Sequence, residues 1–154
     1  MSGPTAAGWG RFVDLADGGR RLAAILPDVL VERSLLVRIG AGGQVTGAAV
    51  AEALGIDVVA VPTERDDDGV HVDLSGIDVQ GREVVVIDDG VETGTAAMVA
   101  GAALREAGAV ALVLAVPVCP RGSEASLRMR YDDVIAGTRP LVRRSLRWHY
   151  DTFA

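Results

Sequence analysis

Val84-Val85-Val86-Ile87-Asp88-Asp89-Gly90-Val91-Glu92-Thr93-Gly94-Thr95 joins an unbroken apolar run, two adjacent carboxylates, a further acid and a Thr-Gly-Thr triplet. A continuous run of β-branched residues reads as a strand buried on both faces, as in parallel sheets covered by helices. The nearly all-apolar stretch from Thr95 to Ala107, stopped by Gly108, reads as the helix that follows. Thr93, Gly94 and Thr95 therefore open a helix, where backbone N–H groups lack intrahelical partners and hydroxyls stand beside them. That combination suits an anion. Carboxylates just before it can accept hydrogen bonds from sugar hydroxyls or hold a divalent cation through water. A site with phosphate on one side and polyol on the other fits a sugar phosphate. The plainer alternative is that Asp88 and Asp89 end a strand and cap a helix. It does not account for Glu92 and Thr-Gly-Thr following in that order.

Strand and helix signals alternate outward from this stretch. Leu35 to Ile39 is a short apolar run bounded by Gly40, and Gly43 to Leu54 is an Ala-rich helix stopped by Gly55. Val58 to Val61 and Ala111 to Val118 read as strands. Beyond Pro120 a helix is expected near Ser123 to Arg130 and a strand near Val134-Ile135. Between Thr63 and Gly81 the chain is polar, with Asp66-Asp67-Asp68. There Val70, Val72 and Leu74 alternate with polar residues in the pattern of a short ribbon. Phe12, Leu15, Ala16, Leu22, Ala23 and Leu26 recur at helical spacing, weakened by Gly18-Gly19 and stopped by Pro27. Residues 1–10 read as a flexible leader and residues 11–154 as one domain. The whole predicts an α/β fold: a Rossmann-like, mostly parallel sheet flanked by helices. Ligands in such sheets sit beyond the carboxyl ends of the strands, here after Ile39, Val61 and Ile87.

Composition narrows the chemistry. The 154 residues include no lysine; all 15 basic residues are arginine. Schiff-base catalysis and the lysine of a Walker A loop are thereby excluded. A net charge of -6 argues against nucleic-acid partners and anionic membrane surfaces, both of which use a positive field. Cys119 is the single cysteine, so no intrachain disulfide forms and a reducing cytoplasm is the expected compartment. Residues 1–10 carry no basic n-region and no apolar h-region, and the longest apolar run, Ala107 to Val118, is too short to span a bilayer. Five of the six aromatics lie near the ends: Trp9, Phe12, Trp148, Tyr150 and Phe153.

The stretch from Val84 to Thr95 resembles the phosphoribosyl-pyrophosphate (PRPP) signature of type I phosphoribosyltransferases. The resemblance extends to Ile39-Gly40-Ala41-Gly42-Gly43 and its helix, similar to the pyrophosphate loop, and to Asp73 to Arg82, similar to the approach to the signature strand. The ending Trp148 to Phe153 is similar to that of bacterial proteins assigned to this family without a known substrate. The resemblance implies a type I phosphoribosyltransferase fold and transfer of phosphoribose from PRPP to a purine or pyrimidine base, with Mg²⁺ as cofactor, in a homodimer. It places Asp88 and Asp89 at the ribose hydroxyls, directly or through Mg²⁺, and Glu92 near the acceptor base. Thr93, Gly94 and Thr95, with the backbone of Val91 and Glu92, would cradle the 5-phosphate. Ala41 and Gly42 would line the pyrophosphate across a strained peptide.

The sequence departs from that pattern in three places. Ala41 stands where related loops often hold Lys or Arg, leaving Arg38 and Arg65 as substitutes; for Arg38 a surface or inter-subunit ion pair is the simpler role. The segment Pro62 to Arg82 is short and acidic where many family enzymes carry a longer basic loop. The hood over the base is reduced to Trp9 and Phe12 with Trp148 to Phe153; for the C-terminal aromatics, burial in an inter-subunit seam is the simpler role. His71 and His149 read as surface or packing residues, Cys119 as a buried inert thiol, and Arg139, Arg143, Arg144 and Arg147 as partners of the excess acids. Two other readings compete. One is a non-catalytic PRPP or nucleotide sensor of the same fold. The other is a dinucleotide-binding domain built on Gly40-Ala41-Gly42, disfavoured because Val45 occupies the place of the third glycine.

Overall fold

Residues 10–141 and 143–153 are described in the computed structural model of the chain. Trp9 and all of the expected leader except Gly10 lie outside them. Leu15–Ile25 forms α1, opened by Asp14, whose carboxylate accepts the Asp17 N–H at 2.8 Å. Asp28–Arg33 forms α2, Leu35–Arg38 β1, Ala41–Leu54 α3 and Val59–Ala60 β2. Thr63–Asp66 and Gly69–Val72 are β3 and β4, an antiparallel hairpin at the place of the expected ribbon. Then come β5 (Glu83–Ile87), α4 (Thr95–Glu106), β6 (Ala111–Val118), α5 (Arg121–Arg128), β7 (Asp133–Thr138) and a 3₁₀ turn at Leu146–His149.

The sheet runs β2-β1-β5-β6-β7, and every pairing in it is parallel. Its strands are apolar on both faces because both are covered. Val84 and Val86 of β5 pack with Ala97, Ala100 and Leu104 of α4. Their neighbours Val85 and Ile87 pack with Leu22 and Leu26 on the α1 side and Val50 of α3. This period-two division is why the Val84–Ile87 run carries no polar residue. No helix among the described residues is long and apolar enough to cross a membrane.

Helix α1 runs unbroken through Gly18-Gly19. A Cβ at Gly19 would lie 2.4 Å from the Thr46 carbonyl oxygen and 2.8 Å from the Ala49 Cβ. A Cβ at Gly18 would lie 3.2 Å from the Tyr150 ring. The glycines therefore let α1 close on α3 and on the C-terminal segment. Packing of Leu15, Leu22 and Ala23 offsets a helix propensity about 1 kcal/mol per glycine poorer than that of alanine. The two chain ends meet beyond β6. Phe12 bridges Tyr150 in parallel, with ring centroids 5.2 Å apart, and Leu15 and Val118 close a third apolar cluster around them.

The strand order fixes where a ligand can sit. From β1 the chain crosses through α3 to β2 on one side. It then returns to place β5 on the other side of β1. The loops after β1 and β5 diverge there and leave a crevice at their carboxyl ends, the topological switch point of an open α/β sheet.

Candidate functional site

Asp88 and Asp89 leave the end of β5 at that switch point, with relative exposures of only 8% and 7%. The Asp89 N–H donates to Asp88 Oδ1 at 2.8 Å. Neither carboxylate has an arginine within ion-pair distance among the described residues. Burial, with Asp89 beside it, holds the Asp88 carboxyl well above the usual carboxylate range; burial also raises Asp89, and Glu92 adds to it.

The start of α3 lies against this pair. Gly40 adopts φ +73, a left-handed conformation that turns the chain straight from β1 into the helix. A Cβ at Gly42 would stand 1.9 Å from Asp89 Oδ2, and one at Gly43 2.8 Å from Asp88 Oδ1. Only bare glycine backbone fits between the helix and the acids. Two expectations change here. The helix begins at Ala41 rather than Gly43, so Ala41 and Gly42 form its first turn. No peptide bond among the described residues is cis, and the turn comes from Gly40 instead of a strained Ala41 peptide.

The segment after β5 forms the opposite wall. The Val91 N–H donates to the Val118 carbonyl at 2.9 Å, which anchors the loop to β6. Gly94, at φ +85, caps α4, and its carbonyl accepts the Met98 N–H at 2.9 Å. The hydroxyls of Thr93 and Thr95 lie 3.1 Å apart at the helix mouth. Glu92 is exposed, and its Oε1 accepts the Leu146 N–H at 2.6 Å.

These walls enclose a cleft of about 450 Å³. Ala41 and Gly42 line it from α3. Asp88, Asp89, Val91, Glu92, Thr93, Gly94 and Thr95 line it from the loop after β5 and the start of α4, so every site residue expected from sequence is brought together. The root of the hairpin adds Thr63, Glu64 and Arg65, and Leu146 closes the rim. Thr63 and Leu146 are lining residues that sequence reasoning missed. Thr63 Oγ1 accepts the Gly40 N–H at 3.2 Å and donates to the Val61 carbonyl at 3.1 Å, tying the hairpin to the β1 turn. No local pattern marks either residue, because their partners lie 23 and 54 positions away.

Of the two substitute cations, Arg65 reaches the cleft and Arg38 does not. The Arg38 side chain packs over Gly47, and its Nη1 donates to the Gln44 carbonyl at 2.8 Å. It makes no ion pair within the chain among the described residues, so of the two roles expected for it the surface ion pair is not seen. The expected hood is also different. Phe12 and Tyr150 are buried in an apolar cluster of their own, and among the described residues of the C-terminal region only Leu146 lines the cleft. Trp148 is exposed, with the guanidinium carbons of Arg144 and Arg11 at 4.6 and 5.8 Å from its ring centroid.

The remaining candidates fall away from the cleft. His71 is exposed, with Nε2 3.2 Å from Asp66 Oδ1. His149 is buried, and burial with Arg144 and Arg11 lowers its pKa. Cys119 is fully buried, its thiol pushed up to about 11 by burial. Arg139 does pair with an acid, Glu124, at 2.5 Å, whereas Arg147 stacks over Phe153 at 5.2 Å.

As a cation site, the cleft offers two adjacent carboxylates and no cluster of three candidate ligands among the described residues. That donor set fits Mg²⁺, which is usually held by one or two carboxylates together with waters and substrate phosphates.

No family model matches the chain. Its fold does match solved structures. TT1426 from Thermus thermophilus superposes with a TM-score of 0.78 at 21% identity, over 94% of this chain and 92% of that one. The purine phosphoribosyltransferase from Pyrococcus horikoshii gives 0.60 at 16% identity, over 88% and 97%. The APRTase from Giardia lamblia complexed with 9-deazaadenine gives 0.63 at 17% identity, over 83% and 80%. The class defined by the fold is thus the α/β fold of type I phosphoribosyltransferases. Within it, this chain carries an acid pair and a Thr-Gly-Thr helix mouth at the switch point, under a rim supplied by its own C-terminal segment.

Proposed function

We propose that the protein binds PRPP or a nucleoside 5′-monophosphate with Mg²⁺, and that it transfers phosphoribose to a nitrogenous base with release of pyrophosphate. The observation that carries this reading is the buried Asp88-Asp89 pair lining one cleft together with the open mouth of α4. The Thr93 and Thr95 hydroxyls and the N–H groups at the start of α4 suit the 5-phosphate. Asp88 and Asp89 suit the ribose hydroxyls, and the first turn of α3, at Ala41 and Gly42, suits pyrophosphate. Bound Mg²⁺ supplies neutralisation of the leaving group's charge. In the transfer, the bond from the anomeric carbon to pyrophosphate oxygen breaks with its electron pair leaving on oxygen. The bond to the base nitrogen forms from that nitrogen's lone pair. Positive charge grows on the ribose ring meanwhile, where the two aspartates favour it electrostatically. Glu92 Oε1 is held by Leu146, which leaves Oε2 to take the proton released by the base. A homodimer in the cytoplasm, with a purine or pyrimidine as the second substrate, completes the proposal.

One observation favours a second reading, a non-catalytic PRPP or nucleotide sensor. Among the described residues Arg65 is the single basic side chain lining a cleft that also holds Asp88, Asp89, Glu64 and Glu92. Melting curves with PRPP in Mg²⁺ and in chelator, followed by a pyrophosphate-release assay over a panel of bases, separate the two. Ligand bound at 100 times its Kd stabilises the native state by about 2.7 kcal/mol, roughly 5–11 °C for a domain of this size. Stabilisation with pyrophosphate release supports the enzyme. Stabilisation without it supports the sensor. No shift with PRPP or with any nucleoside monophosphate overturns both.

A further inference from the structure

We propose that the C-terminal segment from Leu146 to Phe153 is a positioning strap for the acid-pair loop, with Tyr150 holding Asp89 and the Leu146 backbone holding Glu92. The functional consequence rests on the phosphoribosyl reading above; the geometry does not. The Tyr150 hydroxyl, buried at 2% residue exposure, donates to the Asp89 main-chain carbonyl at 2.5 Å, across 61 residues of sequence. That carbonyl belongs to the peptide joining Asp89 to Gly90. Holding it fixes the plane of the peptide and with it the direction in which Asp89 leaves the backbone. Gly90, at φ +148, has no side chain of its own to settle that plane. A Cβ there would lie 2.6 Å from Leu146 Cδ2 and 3.4 Å from Val118 Cβ, so the loop is gripped between β6 and the strap. The Leu146 N–H on Glu92 Oε1, at 2.6 Å, is the second hold.

The strap is itself anchored away from the cleft. Tyr150 stacks on Phe12 at 5.2 Å and meets Phe153 edge-on at 5.5 Å. The Asp151 N–H donates to the Phe12 carbonyl and the Thr152 N–H to the Val13 carbonyl, both at 2.8 Å. Arg11 reaches the Tyr150 carbonyl at 2.9 Å. This apolar anchor with one polar tip aimed at the signature loop separates positioning from packing. A phenylalanine keeps the rings and loses only the donor.

The test uses the full chain and two readouts. Tyr150→Phe removes the hydroxyl. Leu146→Pro removes the N–H at the first position of a 3₁₀ turn, where proline is tolerated, and Leu146→Ala controls for the lost side chain. Phe153→Leu controls for loss of anchor packing. Amide hydrogen exchange over residues 88–95 reads the loop directly, with or without ligand. Titration with PRPP and Mg²⁺ reads the consequence. One buried hydrogen bond lost predicts about 3- to 10-fold weaker affinity for Tyr150→Phe, and faster exchange at Val91. Leu146→Pro, but not Leu146→Ala, is expected to do the same at Glu92 and Thr93. Unchanged exchange in Tyr150→Phe overturns the strap whatever the ligand result. So does an equal loosening in Phe153→Leu, since packing alone then suffices. Exchange that responds as expected in a protein that never binds PRPP upholds the strap and overturns the phosphoribosyl reading.

Discussion

Gly42→Ala isolates the contact between α3 and the acid pair. Gly42 lies in the first turn of α3 with an ordinary helical-side φ, so alanine is acceptable to the backbone. The new methyl would stand 1.9 Å from Asp89 Oδ2, 2.5 Å from its Cγ and 3.0 Å from its Cβ. The near atoms are the free end of a side chain, so the Asp89 carboxylate must swing aside by about 1.5 Å to reach ordinary contact. An off-rotamer χ costs roughly 0.5–1.5 kcal/mol, and the glycine-to-alanine gain in helix propensity is up to about 1 kcal/mol. These nearly cancel, and the melting temperature is expected to stay within about 4 °C of wild type. The site does not escape so lightly. A displacement of about 1 Å in a reacting constellation costs on the order of 100-fold in rate.

Gly43→Ala gives the contrast. Its methyl would meet Asp88 Oδ1 at 2.8 Å and, beyond that, main chain: Asp88 Cα at 3.2 Å and the Ile87 carbonyl oxygen at 3.3 Å. The end of β5 must move, an overpacking cost of about 1–3 kcal/mol, or roughly 2–12 °C of melting temperature. Differential scanning fluorimetry and titration with PRPP and Mg²⁺ distinguish the two variants. Gly42→Ala should fold like wild type and bind or turn over poorly; Gly43→Ala should lose stability first. A Gly42→Ala protein whose affinity and turnover stay within about twofold of wild type would refute the placement of Asp89 in the site.

The other predictions concern protonation and the core. Because Asp88 and Asp89 hold their protons more tightly folded than unfolded, their contribution to stability is complete below the ordinary carboxylate range and is lost as pH rises through the raised values. Asp88→Asn should therefore raise the unliganded melting temperature at pH 8 and flatten its fall with rising pH, while removing PRPP binding; a lower melting temperature at pH 8 contradicts the burial argument. Cys119, buried and pushed up to about 11, should resist iodoacetamide at pH 8 in the native protein and react fully in denaturant, as mass spectrometry reads. Tyr131 donates to the Ala97 carbonyl at 2.7 Å from a site with 1% exposure, so Tyr131→Phe should cost about 1 kcal/mol, roughly 2–4 °C, and leave ligand affinity unchanged.

The parallel sheet was legible because its strands report their own burial. Val84 to Ile87 and Ala111 to Val118 are apolar without alternation, and a strand covered on both faces needs that. The acid pair and Thr-Gly-Thr were legible because they follow one another on one strand-turn-helix unit. What sequence could not yield depends on contacts between distant segments. Gly18-Gly19 reads as a weak point by propensity and is in fact where α3 and Tyr150 approach α1. Helix α2 spans only Asp28–Arg33, too short for a periodic signal. Arg38 reads as a surface cation, but Gly47 leaves room for its stem against α3. The C-terminal aromatics read as hood or as packing, with packing the simpler role; the approach of Phe12 to Tyr150 decides for packing at Tyr150, whereas Trp148 stays exposed.

A lysine-free chain whose described residues place four acids and one arginine around the cleft has a specific electrostatic consequence. The cleft opposes a free polyphosphate, yet it buries two carboxylates that have no basic partner within ion-pair distance among the described residues. Unpartnered buried acids are costly in isolation and are kept where a site makes use of them. Burial raises both pKa values, so a divalent cation bound at the pair would compete with protons for it. A ligand that arrives with its own cation meets that demand, and the bare backbone at Gly40, Gly42 and the start of α4 then needs no basic side chain to hold phosphate oxygens. Ala41 is thus compatible with polyphosphate binding so long as the cation comes with the ligand. On the phosphoribosyl reading, transfer depends on how well the loop keeps Asp89 and Glu92 in place: the C-terminal segment holds the Asp89 carbonyl and the Glu92 carboxylate, and β6 holds Val91 between them.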